Sequence, residues 1–251
     1  KIQAALALIF LLNPFLGVLS TLFFVFVSKE KSMAFYLVII LTLFMWCLQS
    51  TRSFHLGEPS DWAGNYYYNF HNAAITDTLT YLFFTTKEYA WQAFNLIGYY
   101  LFDGDFLSYA NFIVALTYMF TFAAIYKFWN YIQADPRFLV ASLCLFAFVT
   151  EVNGICNNLL RQQFAMSMML YAIIERCTNG RILYPLLVIS FFTHTMTGFF
   201  IPFLFIRLGK KASFRFYIYI VLGFGLLYIL FTNLSIFSSS SFYAFQRLAT
   251  A

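Results

Sequence analysis

Residues 106–126 read FLSYANFIVALTYMFTFAAIY and contain no charged side chain. A helix needs roughly 20 apolar residues to cross the hydrocarbon core of a bilayer, and this stretch supplies them. The whole chain of 251 residues has the same character, because 62% of it is hydrophobic, 23% aromatic and only 10% charged. A soluble domain would carry about 25% charged residues. We therefore expect lipid to be the solvent for much of this chain.

Seven apolar segments are spread along the sequence, and together they predict an all-α, polytopic integral membrane protein. They are 2–27, 32–51, 106–126, the two halves of 138–174, 182–206 and 216–232. Segment 2–27 is interrupted by the dipeptide Asn13-Pro14, which predicts one kinked span. Segment 138–174 is long enough for two crossings and contains the polar run NGICNN at 153–158, which predicts a bend between two spans.

Charged residues indicate the orientation of the chain, because Lys and Arg prefer cytoplasmic loops. With Lys29 and Lys31 inside, the polar segment 52–105 falls outside, where it carries six carboxylates and two basic residues. A full crossing by 182–206 would move the four basic residues that follow it to the outside. A re-entrant hairpin bent near His194 keeps them inside, so we prefer the hairpin.

The outer segment begins with RSFHLGEPSDWAGNYYYNF, in which carboxylates and carboxamides lie among aromatic rings. Rings stack on the C–H faces of sugars while acids and amides bind hydroxyl groups, so this run is a candidate sugar-binding surface. The alternative is an aromatic belt at the membrane interface. The candidate residues are Arg52, Glu58, Asp61, Trp62, Tyr66 and Tyr67. Farther along, the spacing of apolar residues from Tyr89 to Tyr100 predicts an amphipathic helix on the outer face.

Ionisable residues at membrane depth are costly and usually face an interior cavity. Arg161 and Asn157 share one helix face at i, i+4 spacing, and Asn158 and Gln162 lie beside them. The planar guanidinium of arginine suits phosphate or carboxylate. Arg161 therefore either holds an anionic headgroup or forms a structural ion pair with Glu151 across the polar bend.

His194 lies between two threonines in an apolar segment. A lone histidine inside a membrane is often an interhelical hydrogen-bonding residue. Because His194 coincides with the predicted break, the functional alternative is that its imidazole donates a hydrogen bond to a phosphate or acts as an acid or base near neutral pH.

Several classes of site are not predicted. His55 and His71 lack the spacing of metal ligands, and the four cysteines are scattered, so we expect no metal site. No phosphate-binding glycine loop or nucleophile elbow is present, and we expect no cofactor. Basic residues do not cluster on polar surface, so nucleic acid is not an expected partner.

The order of these features resembles the bacterial exopolysaccharide polymerases of the EpsG type, which are relatives of the Wzy O-antigen polymerases. The most specific parts are an Asn-x-x-Arg-Gln run ending at Gln162 and a Phe-x-His-x-x-x-Gly run from Phe192 to Gly198. The resemblance covers roughly 29–247. One departure lies at Asp61, which lacks the preceding glycine of the family's Gly-x-Asp-x-x-x-Tyr pattern.

The resemblance implies a GT-C-like, inverting glycosyltransferase of the bacterial inner membrane. Its substrates would be oligosaccharide repeats on polyprenyl diphosphate, such as undecaprenyl diphosphate, joined at the outer face. No nucleotide or metal is needed, because the lipid diphosphate is itself the activated leaving group. The implied partners are the lipid-linked oligosaccharide, membrane lipids and a chain-length regulator protein.

The resemblance also implies roles for particular residues. Arg161 would stabilise the departing diphosphate, assisted by His194 and Arg247 and more weakly by Arg52. A general base would take the proton of the attacking sugar hydroxyl, and Asp61 ranks first for that role. The alternative bases are Glu58 and Glu151.

A secondary transporter or lipid flippase is the main rival function, since it would also need a polar cavity and broken helices. Such proteins usually show two related halves, which this sequence lacks. A membrane acyltransferase and a purely structural subunit are further alternatives. We expect a single transmembrane domain over 1–251, with the full protein continuing beyond Ala251.

Overall fold

A computed structural model of the chain describes residues 2–28, 30–52, 61–83, 88–149 and 159–205, all within one compact unit, Lys1–Arg207. Every element in these ranges is helical, which confirms the predicted all-α class. In chain order the elements are α1 (Ile2–Leu12), α2 (Pro14–Ser28), α3 (Ser32–Ser50), a short π-helix (Trp62–Tyr66), α4 (Tyr67–Ile75), α5 (Thr78–Phe83), α6 (Tyr89–Leu101), α7 (Phe106–Ile132), α8 (Pro136–Phe148), α9 (Leu160–Asn179), α10 (Tyr184–Thr193) and a 3₁₀ helix (Thr195–Phe205).

Helices α3 and α7 are long and apolar enough to cross a membrane, and they match two of the predicted spans. The carboxylate of Asp105 caps the start of α7 by accepting a hydrogen bond from the Leu107 N–H at 3.0 Å. The helix ends at Gln133, whose left-handed backbone turns the chain, and Asp135 then caps α8. Predicted segment 216–232 lies outside the described residues.

Helices α3, α7 and α9 pack side by side and hold the core of the unit. Leu37 and Leu41 of α3, Phe122 of α7 and Phe164 of α9 are almost fully buried. Large apolar side chains also cover the outer surface, and Leu12 is 80% exposed. An apolar exterior of this kind is what a lipid-facing surface requires, whereas soluble proteins keep such patches small.

The N-terminal segment differs from its prediction. The helix breaks at Asn13-Pro14 as expected, but a Cβ atom added to Gly17 would lie only 2.4 Å from the Cα atom of Phe10. In a merely kinked helix, residues seven apart lie about two turns apart along the axis. The bend is therefore sharp enough to fold α2 back against α1. The prediction of one kinked span is therefore wrong. A proline determines where a helix stops, but it does not determine the angle at which the following helix leaves.

The predicted division of 138–174 into two helices is present as α8 and α9, and the predicted bend at 153–158 lies outside the described ranges. The predicted amphipathic helix is α6. It packs against α7 where Gly98 leaves room for the Tyr109 ring, since a Cβ there would lie 2.3 Å from that ring. Ile97 and Tyr100 of the predicted apolar face are exposed.

The segment 182–206 breaks where the sequence predicts. Helix α10 ends at Thr193, His194 is extended with φ −154° and ψ 111°, and the 3₁₀ helix follows at once. A Cβ on Gly198 would lie 2.9 Å from the Phe191 ring, so the 3₁₀ helix returns in close contact with α10. Near its end, the Leu204 carbonyl accepts a hydrogen bond from Arg176 Nε at 3.0 Å. Arg176 belongs to the last turn of α9, next to the start of α10.

Candidate functional site

The carboxylate of Glu88 joins two of the predicted site residues. Its Oε2 atom forms an ion pair with Nη1 of Arg161, and its Oε1 atom lies 2.8 Å from Nδ1 of His194. Glu88 directly precedes α6, yet its side chain does not cap that helix. The carboxylate instead reaches across to α9 and α10, so three distant parts of the sequence meet at one point. We call these residues the Glu88 triad.

Local structure holds each member of the triad in place. Arg161 lies in the first turn of α9, whereas His194 occupies the break after α10. The two helices are tied together by a buried hydrogen bond of 2.7 Å from Ser190 Oγ to the Ala165 carbonyl. The N–H of His194 donates to the Ser190 carbonyl at 3.0 Å. The imidazole is therefore fixed relative to the guanidinium by backbone contacts as well as by Glu88.

The triad is half-buried. The side chains of Glu88, His194 and Arg161 are 13%, 15% and 28% exposed, respectively. A buried carboxylate is costly unless it is paired, and here it has two partners. The Nε atom of Arg161 is buried and has no hydrogen-bond partner within the parts of the chain that the structure describes. An unsatisfied buried N–H is unfavourable, so the guanidinium is not fully satisfied by Glu88.

Tyr66 and Asp61 belong to the same neighbourhood. Burial raises the pKa of Tyr66, while the charge and a backbone hydrogen bond of Arg161 act in the opposite direction. The charges of Asp61 and Glu88 add to the upward shift. The Tyr66 ring packs edge-on against the buried indole of Trp91 at 5.8 Å. Two further predicted residues therefore lie within electrostatic reach of the triad.

Other residues of the outer segment build an aromatic cluster instead. Trp62 is only 1% exposed and packs edge-on against Phe106 at 5.7 Å, with the Arg52 guanidinium 4.3 Å from its ring. The Tyr67 ring lies 4.1 Å from that of His71 and also contacts Phe106. These contacts hold α4 and the π-helix against α7.

The remaining predicted residues divide into two groups. Gln162 is half-buried beside Arg161 on α9. The predicted residues that lie outside the described ranges are Glu58, Glu151, Asn157, Asn158 and Arg247. Their roles, and the alternative ion pair of Arg161 with Glu151, stay predictions.

Glu88 is the functional candidate that the sequence did not single out. In the sequence it is only one of the six carboxylates of the outer segment. A usable signal was present, because an arginine and a histidine at membrane depth both favour a carboxylate partner. The sequence did not indicate which of the six carboxylates supplies it.

Comparison with known proteins bears on these residues. The model of the EpsG family matches residues 35–250, which include all three residues of the triad. The chain belongs to the EpsG family. Neither the curated proteins nor the solved structures contain a match. Membership of the EpsG family, together with the apolar helices α3 and α7, makes this a membrane protein related to exopolysaccharide polymerases.

Proposed function

We propose that this EpsG-family protein is a polysaccharide polymerase of the bacterial inner membrane. It joins oligosaccharide repeats carried on polyprenyl diphosphate, of the O-antigen or exopolysaccharide type, at the outer face by inverting, metal-independent transfer. The observation that carries the proposal is the Glu88 triad, which places a guanidinium and an imidazole on opposite oxygens of one carboxylate.

The reaction needs stabilisation of a leaving group. As the attacking hydroxyl oxygen bonds to the anomeric carbon, the bond from that carbon to the lipid diphosphate breaks, and its electron pair goes to the diphosphate. Preorganised cationic donors stabilise such developing charge. Arg161 fits this role, because Glu88 holds one side of its guanidinium while the side chain stays 28% exposed. Arg247 and Arg52 are proposed as weaker contributors.

The reaction also needs a base for the hydroxyl proton. Glu88 binds Nδ1 of His194, which leaves Nε2 as the ring nitrogen that can face substrate. A carboxylate on one nitrogen fixes the tautomer and orientation of an imidazole and stabilises the imidazolium that forms when the other nitrogen takes a proton. His194 is therefore the base that the geometry supports best, and Asp61 is the second candidate.

A multi-pass, GT-C-like arrangement with a re-entrant hairpin accommodates this site. In support, Arg161 lies in the first turn of α9 and Arg176 in its last turn, so these residues are about 22 Å apart along the helix axis. Helix α10 starts beside Arg176, reaches Glu88 at His194, and its 3₁₀ continuation returns to Arg176 at Leu204. Entry and return on one side agree with the distribution of charge, which favours a cytoplasmic location for the basic residues after 206.

The test is incubation of the purified protein with lipid-linked repeat units, followed by separation of the products on a gel. A ladder of polymer lengths, formed without nucleotide and in the presence of a metal chelator, is the expected result. No ladder from active substrate would contradict the proposal. Movement of intact repeats across proteoliposome membranes without a ladder would indicate a flippase instead.

A further inference from the structure

A polar cavity lies at the opposite end of the helix bundle from the Glu88 triad. It has a volume of about 490 Å³ and lies between the start of α3 and the last turns of α7 and α9. Three tyrosines, three carboxamides, a threonine and a lysine line it, together with Phe35 and Ala123. Its lining is far more polar than that of the larger cavity beside α8, which is almost entirely apolar.

The cavity lies at the far rim of the membrane-spanning region. Arg161 of the triad is in the first turn of α9, and Thr178 at the cavity is in its last turn. Seventeen residues at 1.5 Å each separate the two by about 26 Å. The hydrocarbon core of a bilayer is about 30 Å thick, so a site at one interface places the cavity at the other.

The polar end of this cavity is positively charged. The ammonium group of Lys127 pairs with Glu175 and lies 5.5 Å from the ring centroid of Tyr171. The ammonium group of Lys31 donates to Oε1 of Gln133, a lining residue, at 2.6 Å. With Glu30, which precedes Lys31, and Arg181, whose charge acts on Glu175, three cations and two carboxylates leave a net charge of +1 at this end. An anion is therefore favoured over a neutral or cationic ligand.

The other end of the cavity is apolar. Phe35 is 56% exposed and its ring contacts Tyr126 at 5.8 Å. Ala123 continues this wall one turn deeper into α7. A ligand that fills the cavity would place an anionic group near Lys31 and Lys127 and a hydrocarbon portion along Phe35. These are the two halves of a phospholipid at the membrane interface.

We propose that this cavity binds the headgroup of an anionic phospholipid in the leaflet opposite the Glu88 triad. Basic pockets between transmembrane helices on the cytoplasmic side are known to take such headgroups. The proposal does not depend on the reaction at the triad. It requires only that the helices cross the membrane, so that the phosphate diester meets Lys31 and Lys127 while the acyl chains stay in the bilayer.

Native mass spectrometry of the purified protein tests this proposal. The protein is titrated with phosphatidylglycerol or with phosphatidylcholine of the same acyl chains, and bound lipid is counted. We expect preferential binding of one phosphatidylglycerol. Lys31→Gln should lower that preference about fivefold, since each basic residue near an anionic membrane contributes about 1 kcal/mol. Equal binding of both lipids by the wild type would overturn the proposal.

Two further variants distinguish lipid binding in this cavity from non-specific attraction of anionic lipid to basic residues on the protein surface. Arg137→Gln removes one positive charge from the same end of the bundle but outside the cavity, where the guanidinium lies over Phe26, so its lipid preference should equal that of the wild type. Asn130→Trp fills the cavity from an exposed position on its rim and keeps both lysines, so it should abolish the preference. A loss in Arg137→Gln equal to that in Lys31→Gln, or no loss in Asn130→Trp, would contradict the proposal.

Discussion

Replacement of Glu88 by glutamine is the change that most specifically disrupts the triad. The carboxamide would keep the size and one oxygen acceptor of the native side chain, but it would remove the charge that holds Arg161 and His194. Because the two partners bind different oxygens and the carboxamide has only one, one of the two charge-assisted hydrogen bonds is lost. Such a bond is worth about 1.5–3 kcal/mol, so the loss is about 2 kcal/mol.

This energy predicts the size of the effect on the reaction. If the lost contact serves the transition state, about 2 kcal/mol corresponds to a roughly 30-fold fall in the polymerisation rate. The rate is measured from the growth of the polymer ladder with purified protein and lipid-linked repeats, at equal amounts of folded enzyme. Binding of the repeats should change less than the rate, because a partly exposed ion pair contributes little to the ground state.

A matched carboxylate provides the control for this experiment. Asp103 lies in the same outer segment, is exposed, and has a positive φ of 49° that asparagine also tolerates. Asp103→Asn removes one charge without touching the triad and should keep the wild-type rate. A wild-type rate in Glu88→Gln would refute the assigned role of the triad. A fall in thermal stability that accounts for the whole loss of activity would show that Glu88 serves only the fold.

Three further outcomes are expected. Arg161→Lys keeps the charge but loses Nε and the planar group, so polymer should disappear from cells that contain normal amounts of protein; polymer of normal length would remove Arg161 from the mechanism. Gly17→Ala puts a Cβ 2.4 Å from the Phe10 Cα and should destabilise the protein by about 1–3 kcal/mol in thermal denaturation, whereas Gly64→Ala, with nothing within 4 Å, should lower stability far less. Burial raises the pKa of Tyr81 from 10.0 to about 12, so the folded state holds this proton more tightly than the unfolded state, and the free energy of unfolding should fall as the pH rises from 10 to 12. Tyr81→Phe should reduce that fall, and an unchanged pH dependence would contradict the assignment.

The elements that the sequence predicts correctly depend on local patterns. Helices α3 and α7 follow from long uncharged runs, and the break at His194 follows from small polar residues in an apolar segment. The fold of α2 back against α1 does not follow, because Asn13-Pro14 marks only the interruption. The close approach of the two helices depends on the absence of a side chain at Gly17. The sequence does not reveal this role, because it does not show which helix packs against Gly17.

The candidate site shows a similar division. Arg161 and His194 are conspicuous in the sequence because charge and imidazole are rare among apolar residues. Their common partner, Glu88, is not conspicuous in the sequence. It lies 106 residues from His194 and shares its segment with five other carboxylates. Only the packing of α6 and α10 against each other selects it. Contacts over such separations are set by tertiary structure and not by local sequence.

In the proposed mechanism, Glu88 makes Arg161 and His194 act as one unit in polymerisation, and a double-mutant cycle measured on the ladder rate is the decisive experiment. His194→Asn keeps a group that can contact Glu88 but removes the Nε2 base, and it is combined with Glu88→Gln. Residues of one catalytic unit show strongly non-additive losses, so the double variant should be little slower than His194→Asn alone. A double variant slowed by the full product of the two single losses would mean that the residues act independently, and it would contradict this account.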